Sequence, residues 1–85
     1  MSAEVKLTVL LFASVAEAAG ISRWDGLIQD GDSIANLRER LREGFPAIKH
    51  LLSECRFACN EVFVEDQHRL AEGDTVAVIP PVAGG

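Results

Sequence analysis

Long hydrophobic runs, basic clusters and cysteines at metal-binding or redox spacing are all missing from this 85-residue chain. Each absence removes a class of function. No apolar stretch approaches the roughly 20 residues that cross a bilayer. The apolar run from Leu7 to Ala16 has no basic front and is too short for a secretory signal. A cytoplasmic location with no membrane partner is therefore expected. The net charge is −5, and its acidic residues are spread along the chain. The nearest thing to a basic patch, Arg38, Arg40 and Arg42, alternates with Glu39 and Glu43 and reads as a solvated helix face with local ion pairs. No nucleic-acid partner is expected, because phosphate contacts need concentrated positive charge. Basic protein partners suit the charge better. The two cysteines, Cys55 and Cys59, lack CxxC spacing and read as reduced, buried or incidental thiols, with no metal site. His50 and His68 stand apart from each other and from any Ser or Cys in a triad pattern.

A chain of this length makes one domain, and such a domain buries roughly 60–65% of its unfolded surface. That leaves little room for a deep pocket and argues against an enzyme that acts alone.

What is present is a clear order of elements. Glu4 to Phe12 alternates, with Val5, Leu7, Val9 and Leu11 on one parity and Lys6 and Thr8 on the other, which predicts a strand. Ala13 to Ala19 are good helix formers stopped by Gly20. Ile21 to Gln29 is a weaker strand before the turn cluster Asp30-Gly31-Asp32. Ser33 or Asp32 caps a helix with Ile34, Leu37 and Leu41 at helical spacing, closed by Gly44. Pro46 opens a further helical segment over Ala47 to Glu54, with Ile48, Leu51 and Leu52 inward. Arg56 to Cys59 and Glu61 to Glu65 flank the turn-prone Asn60 as a tight hairpin. Thr75 to Ile79 is a β-branched strand ended by Pro80 and Pro81, neither of which can donate to a ladder. The class is α+β, with a mixed five-stranded sheet and helices mainly on one face. The β-grasp (ubiquitin-like) fold fits, with the two most apolar strands, first and last, parallel at the centre.

The ending PPVAGG is the most informative motif. The body is assigned to residues 1–80 and a flexible tail to 81–85. The prolines stiffen the exit from the sheet. Pro80, Pro81, Val82, Ala83 and Gly84 then form a thin rod able to enter a narrow channel in a partner, since glycine carries no Cβ. The carboxylate of Gly85 is the reactive group, open to activation as an acyl-adenylate.

Three segments, LFASVAEAAG at 11–20, FACNE at 57–61 and LAEGDTVAVIPPVAGG at 70–85, resemble the small subunits of molybdopterin synthase, the sulfur-carrier branch of the ubiquitin-like proteins. The resemblance covers essentially the whole chain. Members often carry an arginine before the glutamate of the first helix; here Ala16 precedes Glu17. The resemblance implies that an ATP-dependent adenylating and sulfurating enzyme converts the Gly85 carboxylate to a thiocarboxylate. The loaded tail then gives sulfur to cyclic pyranopterin monophosphate inside the large synthase subunit, in a heterotetramer. It also implies that ATP is used by the activating enzyme, with no cofactor bound by this chain, and that acid–base residues sit on the large subunit.

Strand parity indicates where that subunit docks. With Val62, Val64, Val76 and Val78 inward, Phe63, Ala77 and Ile79 face out, and Phe63 and Ile79 form an anchor beside the tail's exit. Phe12 is a third candidate, of a type more often found in the core. Three other readings keep the fold: a sister carrier for thiazole, cysteine or tRNA thiolation, a modifier forming isopeptide bonds, and a non-covalent β-grasp binding module.

Overall fold

The computed structural model describes residues 3–81. Five strands and three helices follow in the order β1 (Glu4–Leu11), α1 (Ala13–Ala19), β2 (Arg23–Gln29), α2 (Ile34–Gly44), a 3₁₀ turn (Pro46–Ile48), α3 (Lys49–Leu52), β3 (Arg56–Cys59), β4 (Val62–Val64) and β5 (Thr75–Ile79). The sheet order is β2-β1-β5-β3-β4. β1 and β5 lie parallel at its centre and the other pairings are antiparallel. This is the β-grasp arrangement that the sequence order predicts.

Alternation drives the layering. Val5, Leu7, Val9 and Leu11 of β1, Phe57 of β3, and Val76 and Val78 of β5 are buried on one face. Val15 of α1, Ile34, Leu37 and Leu41 of α2, Ile48, and Leu52 of α3 pack over them with no exposure. At about 25 cal/mol per Å², this shared apolar layer is the main favourable term holding the sheet and helices together.

Local chemistry sets the boundaries. Ser33 caps α2 in a reciprocal box, its Oγ accepting from Asn36 N–H while Asn36 Oδ1 accepts from Ser33 N–H. Gly44 is the last residue of α2, and Phe45 is its cap. The segment after Pro46 starts as 3₁₀ before α3, and Leu51 is only partly buried. β2 begins at Arg23, two residues later than its apolar pattern predicts, and Ile21 is exposed. At Gly26 an added Cβ would lie 2.2 Å from the Trp24 indole, which lies across the strand there. The ring meets Phe45 edge to face, with centroids 5.9 Å apart.

Arg38 departs from the solvated face read from its neighbours. Its guanidinium donates to the carbonyls of Leu52 and Cys55, pairs with Asp66 at 2.7 Å, and lies 4.6 Å from the Phe57 ring centre. It ties the end of α3 to α2 and is a structural residue. Arg42, paired with Glu39 one turn earlier on the helix, behaves as the sequence indicates.

Candidate functional site

The face of the sheet opposite the helices is not covered by the described residues, and its character changes along its length. Register puts Leu10, Ala77, Ala58 and Phe63 in one row across β1, β5, β3 and β4. Ile79 and Arg56 are paired in the next row, on the same face. Phe12 follows β1 directly as the extended residue that caps α1. Phe63 is 52% exposed and Phe12 46%, while Ile79 and Ala77 are half-buried. Phe63 therefore stands outward, as parity predicts. Phe12 also stands outside the core, because its extended backbone turns it away before α1 begins. Val62, expected inward, is 64% exposed. Its parity is that of the core face, but β4 is the outermost strand and the described helices do not cover it there.

Three strand spacings of about 4.8 Å put Phe63 on β4 roughly 14 Å from β1, which Phe12 follows. A shallow groove between them is lined by Leu10, Phe12, Ala77 and Thr75, with Asn60 and Glu61 at its rim. Arg56 lies over Phe63, its guanidinium carbon 3.9 Å from the ring centre. The patch thus has an aromatic anchor, a flat small-residue floor and one cation. Pro80 and Pro81 leave β5 beside Ile79, and Pro81 is exposed. The tail candidates Val82, Ala83, Gly84 and Gly85 lie outside the described residues.

A clasp that the sequence pattern did not reveal holds the start of β5 in place. Asn60 and Glu61 form the β3–β4 turn with φ of +50° and +72°, both left-handed, as a two-residue type I′ connection requires. Asn60 also reaches sideways. Its Nδ2 donates to Asp74 Oδ1 at 3.0 Å, and its Oδ1 accepts from Thr75 N–H at 3.0 Å. Ala71 N–H donates to Asp74 Oδ2 at 2.9 Å. Burial pushes the Asp74 carboxyl up, but hydrogen bonds from Ala71, Asn60 and Cys59, together with His68, outweigh it and bring the group below its usual range. Burial, reinforced by Asp74, pushes the Cys59 thiol up to about 11. Burial also raises Cys55. Neither thiol is an active nucleophile at neutral pH. The signal was present as the asparagine of FACNE and the aspartate of EGD, but 14 residues separate them and spacing alone does not join them.

Among the described residues, no three His, Cys, Asp or Glu side chains gather as a metal set. No helix there is long and apolar enough to cross a membrane.

Residues 9–85 match the ThiS family. The chain belongs to the ThiS family. It is 34% identical over 83 residues to a molybdopterin synthase sulfur carrier subunit of Chlamydomonas reinhardtii, covering 95% of this chain and all of that protein. A putative molybdopterin converting factor subunit 1 from Pyrococcus furiosus superposes with a TM-score of 0.83 at 26% identity, covering 92% of this chain and 99% of the other. The small chain in a complex of subunits 1 and 2 of molybdopterin-converting factor from Helicobacter pylori shares the fold at 23% identity, with a TM-score of 0.70 over 95% of this chain and all of that one.

Proposed function

We propose that this ThiS-family chain is the sulfur-carrying small subunit of molybdopterin synthase and works through the carboxylate of Gly85. The observation that carries this reading is the family match, which includes Gly84 and Gly85 and comes with full-length relatives that are molybdopterin synthase sulfur carriers. An ATP-dependent activating enzyme adenylates the Gly85 carboxylate with loss of pyrophosphate. A carboxylate is a poor acyl donor because it would have to expel oxide; the adenylate expels AMP. A sulfur donor displaces AMP and leaves a thiocarboxylate. That sulfur is then delivered to cyclic pyranopterin monophosphate in the large subunit, and two deliveries build the dithiolene.

The division of labour follows from the chain's chemistry. This protein supplies a sulfur atom at the end of the segment Pro80 to Gly85, whose last two residues carry no side chain. ATP binds to the activating enzyme, and acid–base work falls to the large subunit. The patch formed by Phe63, Ile79 and Phe12 seats that subunit, so that the tail is aimed into its channel. Loading and delivery take place in the cytoplasm.

Deleting Gly85 tests the reading. The shortened chain should fold normally and fail to restore molybdopterin to a strain lacking its own carrier, whereas the full chain restores it. Rescue by the shortened chain would refute the tail chemistry. Failure of the full chain to rescue, together with rescue of a thiazole- or tRNA-thiolation defect, would assign it to a sister pathway.

A further inference from the structure

The edge of the sheet farthest from the Phe63 patch carries a second surface, apart from the residues assigned to the proposed function. Its hydrogen-bonding state follows from register. Leu11 N–H donates to Ser22 carbonyl at 2.9 Å, and Asp30 N–H donates to Ala3 carbonyl at 2.7 Å. In an antiparallel ladder, pairs that exchange hydrogen bonds recur every second residue. Trp24, Gly26 and Ile28 therefore spend their backbone groups on Val9, Leu7 and Val5 of β1. Arg23, Asp25, Leu27 and Gln29 turn theirs outward. Gln29 is already satisfied, donating to Asp32 Oδ2 and accepting from Asp32 N–H. Arg23, Asp25 and Leu27 are left with open N–H and C=O groups on an edge that the described residues do not cover.

Beside this edge runs a groove between β2 and α2. One end is floored by Trp24 and Phe45 and walled by Arg40 and Glu43. The other end is bordered by Glu4, Asp32 and Glu39. Glu39 is paired with Arg42, whereas Glu4 and Glu43 have no ion-pair partner among the described residues. Carboxylates outnumber Arg40 along the groove, so its field favours a cation.

We propose that β2 accepts an added strand: an extended, basic segment of a partner protein that pairs with Arg23, Asp25 and Leu27. Side chains of that segment pointing toward α2 lay aliphatic stems over the Trp24–Phe45 floor and bring Lys or Arg heads to Glu39 and Glu43. Main-chain pairing supplies affinity and alternate side chains supply selectivity. β4, the opposite edge, has only three residues and offers a shorter template. β2 and β4 are the two outermost strands, roughly 19 Å apart at about 4.8 Å per spacing, so this groove stays open while a partner occupies the Phe63 patch. The proposal does not depend on the sulfur-carrier reading.

The test titrates the full ¹⁵N-labelled chain with an acetylated, amidated hexapeptide, Lys-Val-Lys-Val-Arg-Val. The proposal expects saturable shifts at β2 and the facing side of α2, together with slowed hydrogen exchange at the amides of Arg23, Asp25 and Leu27. Rising salt should weaken binding, and E39Q with E43Q should weaken it about three- to tenfold, the range for two exposed ion pairs. The same peptide N-methylated at every residue, which leaves no N–H on either edge, should not bind, and this control leaves the protein untouched. Equal binding of the methylated or an all-glutamate peptide would overturn the proposal, as would shifts confined to the Phe12–Phe63 patch. Concentration-dependent protection of the same amides without peptide would overturn it in favour of a second copy of this chain.

Discussion

The uncovered face of the sheet has two halves that share a backbone and differ in chemistry. Toward the tail, Leu10, Ala77, Ile79 and the two phenylalanines make an apolar surface. Toward β2, the same face carries Lys6, Thr8, Arg23 and Asp25 beside the exposed Leu27, with Thr8 Oγ1 donating to Asp25 and Arg23 paired to it at 3.2 Å. A bare sheet face needs polar cover to remain soluble. One half has that cover and the other lacks it, and the half that lacks it lies at the root of the tail. The two exposed phenylalanines lie on the apolar half, and on the proposed reading that half is the partner's seat.

Substitutions along β5 and across the face can break this comparison. The largest effect is expected one residue inside the boundary. Val78→Asp buries an unpaired charge in a fully enclosed layer and should unfold the domain, as a lost cooperative transition in circular dichroism. Its neighbour Ile79→Asp should leave the fold intact. Phe63→Asp should also fold, yet weaken binding to the large subunit by about 2 kcal/mol, near thirtyfold in titration calorimetry, as for a central aromatic anchor. If Phe63→Asp unfolds the isolated chain, the assignment of the outer face is wrong. Loss of the clasp in Asp74→Ala should cost about 1–2 kcal/mol in urea unfolding, because its hydrogen bonds are partly exposed. At the polar half, Thr8→Lys should change partner affinity by no more than about 0.5 kcal/mol, as for a surface change away from the contact. An effect there equal to that of Phe63→Asp would erase the distinction between the halves.

A separate effect is one of pH. With its folded pKa raised to about 11, Cys59 holds its proton more tightly in the folded chain than in the unfolded one. The stability this represents is intact below the unfolded thiol's pKa, near 9, and drains away as pH rises from there toward 11. Asp74 behaves oppositely. Its lowered carboxyl contributes stability above the ordinary aspartate range, and that contribution is lost in acid. A flat stability profile between pH 9 and 11 would contradict the buried environment of Cys59.

Most of the fold was legible because its signals are local. Alternation in β1 and β5, the 3.6-residue spacing of Ile34, Leu37 and Leu41, and the stop at Gly20 each lie within a few residues, and the strands and helices form where those signals put them. Parity alone placed Phe63 outside. What stayed hidden depends on contacts distant in sequence. Val62 has inward parity, but its exposure follows from β4 lying at the sheet's edge, which no residue of β4 encodes. Phe12 belongs by composition to the core, yet sits at the turn from β1 into α1. Arg38 looks like its solvated neighbours until α3 returns to offer it the Leu52 and Cys55 carbonyls. Asn60 was legible as a turn residue and illegible as the partner of Asp74.

Intact mass spectrometry of the full chain, after incubation with ATP, a competent activating enzyme and a sulfide source, reads the fate of the terminal carboxylate directly. A species heavier by the exchange of one oxygen for sulfur, absent when ATP is withheld and absent from the chain lacking Gly85, is the expected result. An unchanged mass under conditions in which the same enzyme loads a known carrier would contradict it.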